Sequence, residues 1–296
     1  MFLLTLTLYL LVASTSAALT LRPRQSNCPA VWTDVATELQ STFAGCGADA
    51  HGAIRAPFHD CINNGCDGSL ILSDECSRTE NAGLSTICGK LKDWSSKYNV
   101  SAADMIQFAA ALAISVCPLG PKVRALVGRK DNFNAAPVGS VPSSRDPVDT
   151  ILAAFSAKGF SADDVVALMG THSVALQFND DPSQAGKSLD STPSTYDTTF
   201  YKETKEGTAP YSLQSDRLLS NDSQTAETWS SFADSADAWS SAFVSAWDRF
   251  AVVGNDEGSL QDCSSLIPSS SASRVRRKAN AAFTMRMSAK FAKYRS

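Results

Sequence analysis

Between Arg55 and Ser69 the chain reads Arg-Ala-Pro-Phe-His-Asp-Cys-Ile-Asn-Asn-Gly-Cys-Asp-Gly-Ser. Arg55 precedes His59 by four residues, so on a helix the guanidinium and the imidazole leave from the same face. A side chain that is cationic at any working pH, set beside one that titrates near neutrality, can stabilise a developing negative charge while a proton is moved. Asp60, Asp67 and Ser69 follow around Gly65, a density of oxygen donors that suits a hard cation. Cys61 and Cys66 bracket that loop and could staple it. A helix end running into a polar turn would account for the Gly and Asp residues but not for Arg55 with His59. Only three histidines occur, His51, His59 and His172. No zinc-like grouping of Cys and His is present, so a structural zinc site is not expected.

The elements that must present these groups read as helices. Val31 to Thr42 carries Trp32, Val35 and Leu39 at helical spacing. Ser101 to Ser115 is Ala-rich, opens with a Ser-x-x-Asp capping pattern and stops before Cys117-Pro118. Ser161 to His172 opens on Ser161-Ala162-Asp163-Asp164 and carries Val165, Val166 and Leu168. Trp239 to Val252 is apolar at Trp239, Phe243, Trp247, Phe250 and Ala251. Strand-type alternation is scarce, and the expectation is an all-α body with at most short hairpins. Residues 123–147, rich in Gly, Pro, Asn and Ser, read as a long connection between two halves, with His59 before it and His172 after it.

At 296 residues, 44% hydrophobic and 19% charged, the chain can build one large domain or two close-packed halves. Residues 1–17 form an apolar run ending in small residues and read as a secretory signal peptide, with 18–27 as a short pro-segment. No later segment reaches the roughly 20 apolar residues of a membrane span. Eight cysteines behind such a leader point to disulfides and to an extracellular protein. Asn99 and Asn221 head glycosylation tripeptides. Residues 269–296 hold eight basic side chains and no acid, against a net charge of −4 for the whole chain. That stretch reads as a disordered basic tail, and nucleic acid is not expected as a partner.

The Arg55–Ser69 run resembles the distal haem segment of the plant and fungal secretory peroxidases. Gly170-Thr171-His172-Ser173-Val174-Ala175 resembles their proximal segment. Ile114-Ser115-Val116-Cys117-Pro118, Gly128-Arg129, Asp190-Ser191-Thr192-Pro193, Gln214-Ser215-Asp216 and Asp262-Cys263-Ser264 extend the likeness in order and spacing. They are most similar to the fungal class II group, which holds the lignin and manganese peroxidases, and run from about Cys28 to Pro268. The resemblance implies the haem peroxidase fold, with a distal half of about 28–122, the connection, and a proximal half of about 148–268 sandwiching haem b. It implies a secreted, monomeric enzyme that reduces hydrogen peroxide and oxidises small aromatic donors. His172 would be the axial iron ligand with Asp216 as its partner, and Phe58 would pack over the haem. His59 would be the general base and acid, Arg55 the charge stabiliser, and Asn81 the residue holding His59, itself partnered by Glu75, with Glu80 a competing candidate. Two calcium ions would be held, one by Asp60, Gly65, Asp67 and Ser69, the other by Ser173, Asp190, Thr192, Thr195 and Asp197. The disulfides would be Cys28–Cys263, Cys46–Cys117 and, in the manner of the plant branch, Cys61–Cys66. Cys76 and Cys88 are left over and would pair.

Two specialisations of the resembling group are missing. The positions of its manganese carboxylates hold Gly47, His51 and Phe178, and the position of the oxidising surface tryptophan holds Ala167. The expectation is therefore a generic peroxidase acting on small phenols at the haem edge. A catalytically silent, calcium- and disulfide-stabilised binding protein on the same fold is the alternative.

Overall fold

The computed structural model describes residues 28–269. The leader, the pro-segment and the basic tail inferred above lie outside the described residues, apart from Ser269. Eleven α-helices occur among the described residues. They are α1 (Val31–Thr42), α2 (Ala48–Cys61), α3 (Ser69–Leu72), α4 (Ser85–Tyr98), α5 (Ala102–Val116), α6 (Val148–Ser156), α7 (Ala162–Met169), α8 (Thr199–Glu206), α9 (Gln214–Leu219), α10 (Ala226–Asp234) and α11 (Ala236–Phe250). The strands are β1 (Leu126–Val127) and β2 (Gln261–Asp262), paired antiparallel with Leu126 opposite Asp262.

Helix α5 is the axis of the N-terminal half. Ser101 caps it by accepting the Asp104 N–H at 3.1 Å, and every residue from Ala102 to Ser115 is buried. A helix apolar all round belongs inside a protein, and its alanines let α1, α2 and α4 pack close. Its one buried acid, Asp104, meets the Arg129 guanidinium at 2.9 Å and accepts the N–H groups of Gly128 and Arg129. Those bonds fix the start of the connection to the core.

The C-terminal half surrounds α7, whose start carries the full capping box, Ser161 and Asp164 each accepting the other's backbone N–H. Trp229 and Trp239 fill this core and donate to the carbonyls of Tyr201 and Ala167 at 2.9 and 3.2 Å. The helix predicted to run to His172 ends at Met169, and residues Gly170–Val174 form a 3-10 turn. Packing explains the early stop. A Cβ on Gly170 would lie 2.3 Å from Trp239 Nε1, so the backbone tightens where the indole presses on it.

Four disulfides join Cys28–Cys263, Cys46–Cys117, Cys61–Cys66 and Cys76–Cys88. The first links chain positions 235 apart, and the second ties the approach to α2 to the end of α5. All five tryptophans are buried.

Candidate active site

Helix α2 carries both Arg55 and His59 and lies against the Gly170–Val174 turn that carries His172. The two histidine blocks, 113 residues apart in sequence, are thus brought together on neighbouring elements. Pro57 stands between Arg55 and His59 inside the helix and has no N–H for the Ala53 carbonyl.

His59 is 3% exposed, and its Nδ1 lies 2.7 Å from Asn81 Oδ1. Asn81 is fully buried and its Nδ2 donates to the Glu75 carbonyl at 2.8 Å. That second bond fixes the amide orientation, so Oδ1 must accept and His59 Nδ1 must carry the proton. When the ring is neutral, Nε2 is left with a free lone pair. Burial, and then the Arg55 charge, hold the His59 pKa well below its ordinary value, opposed by the bond to Asn81. The residue six before Asn81 is therefore its partner, but through the main chain. The Glu75 carboxylate turns away to accept the Ala136 N–H at 2.8 Å, beside Arg78 at 3.5 Å. Glu80 accepts from Gly139 at 2.7 Å and does not serve Asn81.

The Arg55 Nη1 donates to the Ala82 carbonyl at 3.0 Å. Its side chain is exposed to solvent, yet crowding by surrounding protein lowers its pKa to about 10. It remains a cation at neutral pH.

On the facing turn, His172 Nδ1 lies 3.1 Å from Asp216 Oδ1. The imidazole is 25% exposed and the carboxylate fully buried. Asp216 comes from the first turn of α9, and Phe200 of α8 meets the His172 ring edge-to-face at 5.5 Å. Phe58 is half-buried, stacked on Phe155 at 5.9 Å and edge-on to His59 at 5.2 Å.

Residues 32–235 match the family described as Peroxidase. Manganese peroxidase 3 of Phlebia radiata is 36% identical over 256 residues, spanning 75% of this chain and 71% of that protein. The low-redox potential peroxidase of Taiwanofungus camphoratus is 36% identical over 257 residues, 80% and 77% of the two chains. A peroxidase of Arthromyces ramosus is 33% identical over 275 residues, 81% and 76%.

The chain belongs to the peroxidase family.

Haem is the cofactor of this family, and the donor set around His172 fits it. The structure engages Nδ1 of His172 with a buried carboxylate and leaves Nε2 toward accessible space, the donor arrangement an iron ligand needs. Oxygen-rich loops flank both histidines. Asp60 accepts the Gly68 and Leu70 N–H groups at 3.1 and 3.3 Å, and Asp67 accepts the Ser69 N–H at 3.0 Å. Gly65, at φ +130°, is pressed against the Gly254 backbone, where a Cβ would come within 3.0 Å. On the other side Thr192 Oγ1 bonds to the Asp197 carboxylate at 3.2 Å, and Asp190 accepts the Thr192 N–H at 2.8 Å. The Thr195 carbonyl accepts from Asp197 in the same loop, which Leu189 ties to the Ala175 carbonyl at 3.1 Å. Ser173 Oγ and Asp190 Oδ2 are buried with no hydrogen-bond partner. Burial, opposed by backbone N–H donors, and neighbouring carboxylates push both Asp60 and Asp190 up to about 7. Among the described residues no three His, Cys, Asp or Glu side chains gather as a metal site. The two sets instead combine two carboxylates with hydroxyl and carbonyl oxygens, a donor chemistry for calcium rather than for a transition metal.

Several site residues carried no signal in the sequence. The Ala82 carbonyl that holds Arg55 is a backbone group available to any residue. Arg78, which donates to the Ala136 carbonyl at 2.8 Å, and Asn132, which donates to Asp67 at 2.7 Å, lie in no recognised block.

Proposed function

We propose that this secreted peroxidase uses Arg55 and His59 to split hydrogen peroxide and serves small phenolic donors at the haem edge. The single observation that carries the reading is the His59–Asn81–Glu75 relay, which leaves the His59 Nε2 lone pair free beside a guanidinium. His59 Nε2 takes the proton from the near oxygen of peroxide and returns it to the far oxygen as that oxygen leaves. Arg55 stabilises the negative charge that builds as the bond breaks. His172 Nε2 would hold the iron, while Asp216 keeps the ring in the Nδ1–H tautomer and would strengthen its donation. Haem, when bound, would supply the redox chemistry of peroxide cleavage and of one-electron donor oxidation. Phe58, next to His59, would pack against it. Calcium ions held by Asp60, Gly65, Asp67 and Ser69, and by Ser173, Asp190, Thr192, Thr195 and Asp197, anchor the residues next to each histidine. Elemental analysis of the purified protein checks the expected two ions per chain.

Donor choice follows from what the surface lacks. Gly47 and Phe178 are exposed and His51 is half-buried, so the positions that hold manganese carboxylates in the resembling group supply no oxygen ligand. Ala167 is fully buried, its carbonyl occupied by Trp239, which leaves no surface aromatic there. We assign residues 28–122 to a distal half and 148–268 to a proximal half of a monomer, with residues 1–17 removed on secretion and glycans at the exposed Asn99 and Asn221.

Purified protein supplied with haem is expected to show a ferric Soret band that shifts on adding peroxide, and to oxidise phenols without saturating in Mn(II). Failure to take up haem refutes the reading. Efficient, saturable Mn(II) oxidation refutes the donor assignment alone.

A further inference from the structure

We propose that the Cys76–Cys88 disulfide is a positioning device for the peroxide-splitting pair, fixing the short segment that holds both Arg55 and His59. The inference rests on the roles proposed for those two residues.

The crosslink closes a twelve-residue separation, and within it lie Asn81 and Ala82. Asn81 Oδ1 holds His59 at 2.7 Å, and the carbonyl of the next residue, Ala82, holds the Arg55 guanidinium at 3.0 Å. Both acceptors therefore move as one unit. The segment has little regular structure of its own. It consists of two three-residue 3-10 turns, Glu75–Ser77 and Thr79–Asn81, flanked by left-handed backbone at Asp74 (φ +58°) and Gly83 (φ +87°). Such short turns form few hydrogen bonds per residue and do not lock a position alone.

On one side the segment is tied to the connection between the halves. Ala136 donates to Glu75 at 2.8 Å, Arg78 donates to the Ala136 carbonyl at 2.8 Å, and Gly139 donates to Glu80 at 2.7 Å. None of these partners belongs to α2. Toward α2 the C-terminal end of the segment is held at the head of α4, where the Leu84 N–H donates to the Asn81 carbonyl at 3.1 Å, and the disulfide ties the N-terminal end to the same helix. Cys88 is 5% exposed in the first turn of α4, its N–H bonded to the Leu84 carbonyl at 2.9 Å. Helix α4 is itself registered on α2. Ile87, beside Cys88, fills the notch at Gly52, where a Cβ would stand 2.9 Å from the Ile87 Cβ. Lys90 of α4 pairs with Asp49 of α2 at 2.6 Å. Gly52 precedes Arg55 by three residues and His59 by seven, so the three share a face of α2.

The covalent and packed path therefore closes on itself: from α2 through His59 and Arg55 to Asn81 and Ala82, through the disulfide to α4, and back to Gly52. A hydrogen bond near 2.7–3.0 Å is lost by a displacement of about 1 Å, and misplacement of that size at a catalytic pair costs on the order of a hundredfold. One slip of this segment would release both groups at once.

The test uses the haem-loaded full chain carrying Cys76→Ser and Cys88→Ser. The peroxide-consuming step, followed by stopped flow, is expected to slow about 10- to 100-fold, and cyanide affinity of the ferric protein to fall with it. The donor-consuming step, which does not use the Asn81 bond, is expected to stay within about twofold. If the double variant does not fold, the native holoprotein is gently reduced and alkylated, with peptide mapping to select molecules modified at Cys76 and Cys88 only. An unchanged peroxide step in whichever protein lacks the crosslink overturns the proposal, as does equal slowing of both steps, which would mean general loosening. His59→Ala is measured alongside. Full peroxide reactivity in that variant refutes the role of His59, and the proposal falls with it.

Discussion

Replacing Asp216 by Asn tests the proximal half most directly, because the change alters charge while keeping shape. The buried carboxylate accepts His172 Nδ1–H through Oδ1 at 3.1 Å, while Oδ2 has no partner. In the variant the amide oxygen can still accept from Nδ1, and the new NH2 takes the place of Oδ2, where nothing receives it. A hydrogen bond to a charged group contributes about 1.5–3 kcal/mol and a neutral one about 0.5–1.5 kcal/mol. The bond therefore loses roughly 1–2 kcal/mol of its bias toward electron-poor iron. For a one-electron couple that corresponds to about 40–90 mV. Spectroelectrochemistry of the haem-loaded variant is expected to show the ferric/ferrous midpoint raised by that amount, with the peroxide-consuming step slowed. The orphaned NH2 costs a further 1–3 kcal/mol or so of folding stability, read by urea denaturation. A midpoint unchanged within about 15 mV, or lowered, would refute the argument that Asp216 acts on the iron through His172.

Arg55→Gln removes the second cause that holds the His59 pKa down but leaves the first, burial, in place. The acid limb of the peroxide-consuming rate, set by protonation of His59, is expected to move up in pH toward the ordinary histidine value without reaching it. The rate at neutral pH should fall about 10²- to 10³-fold with the lost charge stabilisation. A limb that moves to lower pH contradicts the assignment. Asp104→Ala strands the buried Arg129 and the N–H groups of Gly128 and Arg129. Loss of about 3–5 kcal/mol in chemical denaturation is expected, and a loss under about 1 kcal/mol would show the pair to be solvated.

Legibility in the sequence followed the range of the interaction responsible. Helix α5 is readable because its apolar run and the Ser101–Asp104 cap are local, and α7 because both members of its capping box lie within four residues. The end of α7 is not local. It depends on Trp239 pressing on Gly170, a contact between residues 69 apart, so His172 falls on a 3-10 turn that periodicity does not announce. The choice between Glu75 and Glu80 could not be read for a different reason. The bond to Asn81 uses a backbone carbonyl, and side-chain identity carries no information about it. The same holds for Ala82, which no sequence pattern would single out although it holds Arg55.

The two histidines show how one device can yield opposite chemistry. In each, Nδ1 is engaged by a buried acceptor and Nε2 is left free, and an oxygen-rich loop contributes the very next residue, Asp60 or Ser173. What differs is the acceptor. Asn81 is neutral, so it orients His59 without compensating a ring charge, and burial beside Arg55 then keeps the ring unprotonated and ready to take a proton. Asp216 is a carboxylate whose Oδ2 is unpartnered and whose Oδ1 meets His172 at 3.1 Å and the Ser215 hydroxyl more loosely at 3.4 Å, so the shorter bond brings its charge to that ring and would strengthen it as a donor. In the roles proposed above, an amide on one side and a carboxylate on the other would separate base from ligand. The difference lies in two fully buried residues behind the rings, Asn81 and Asp216, rather than in the imidazoles themselves.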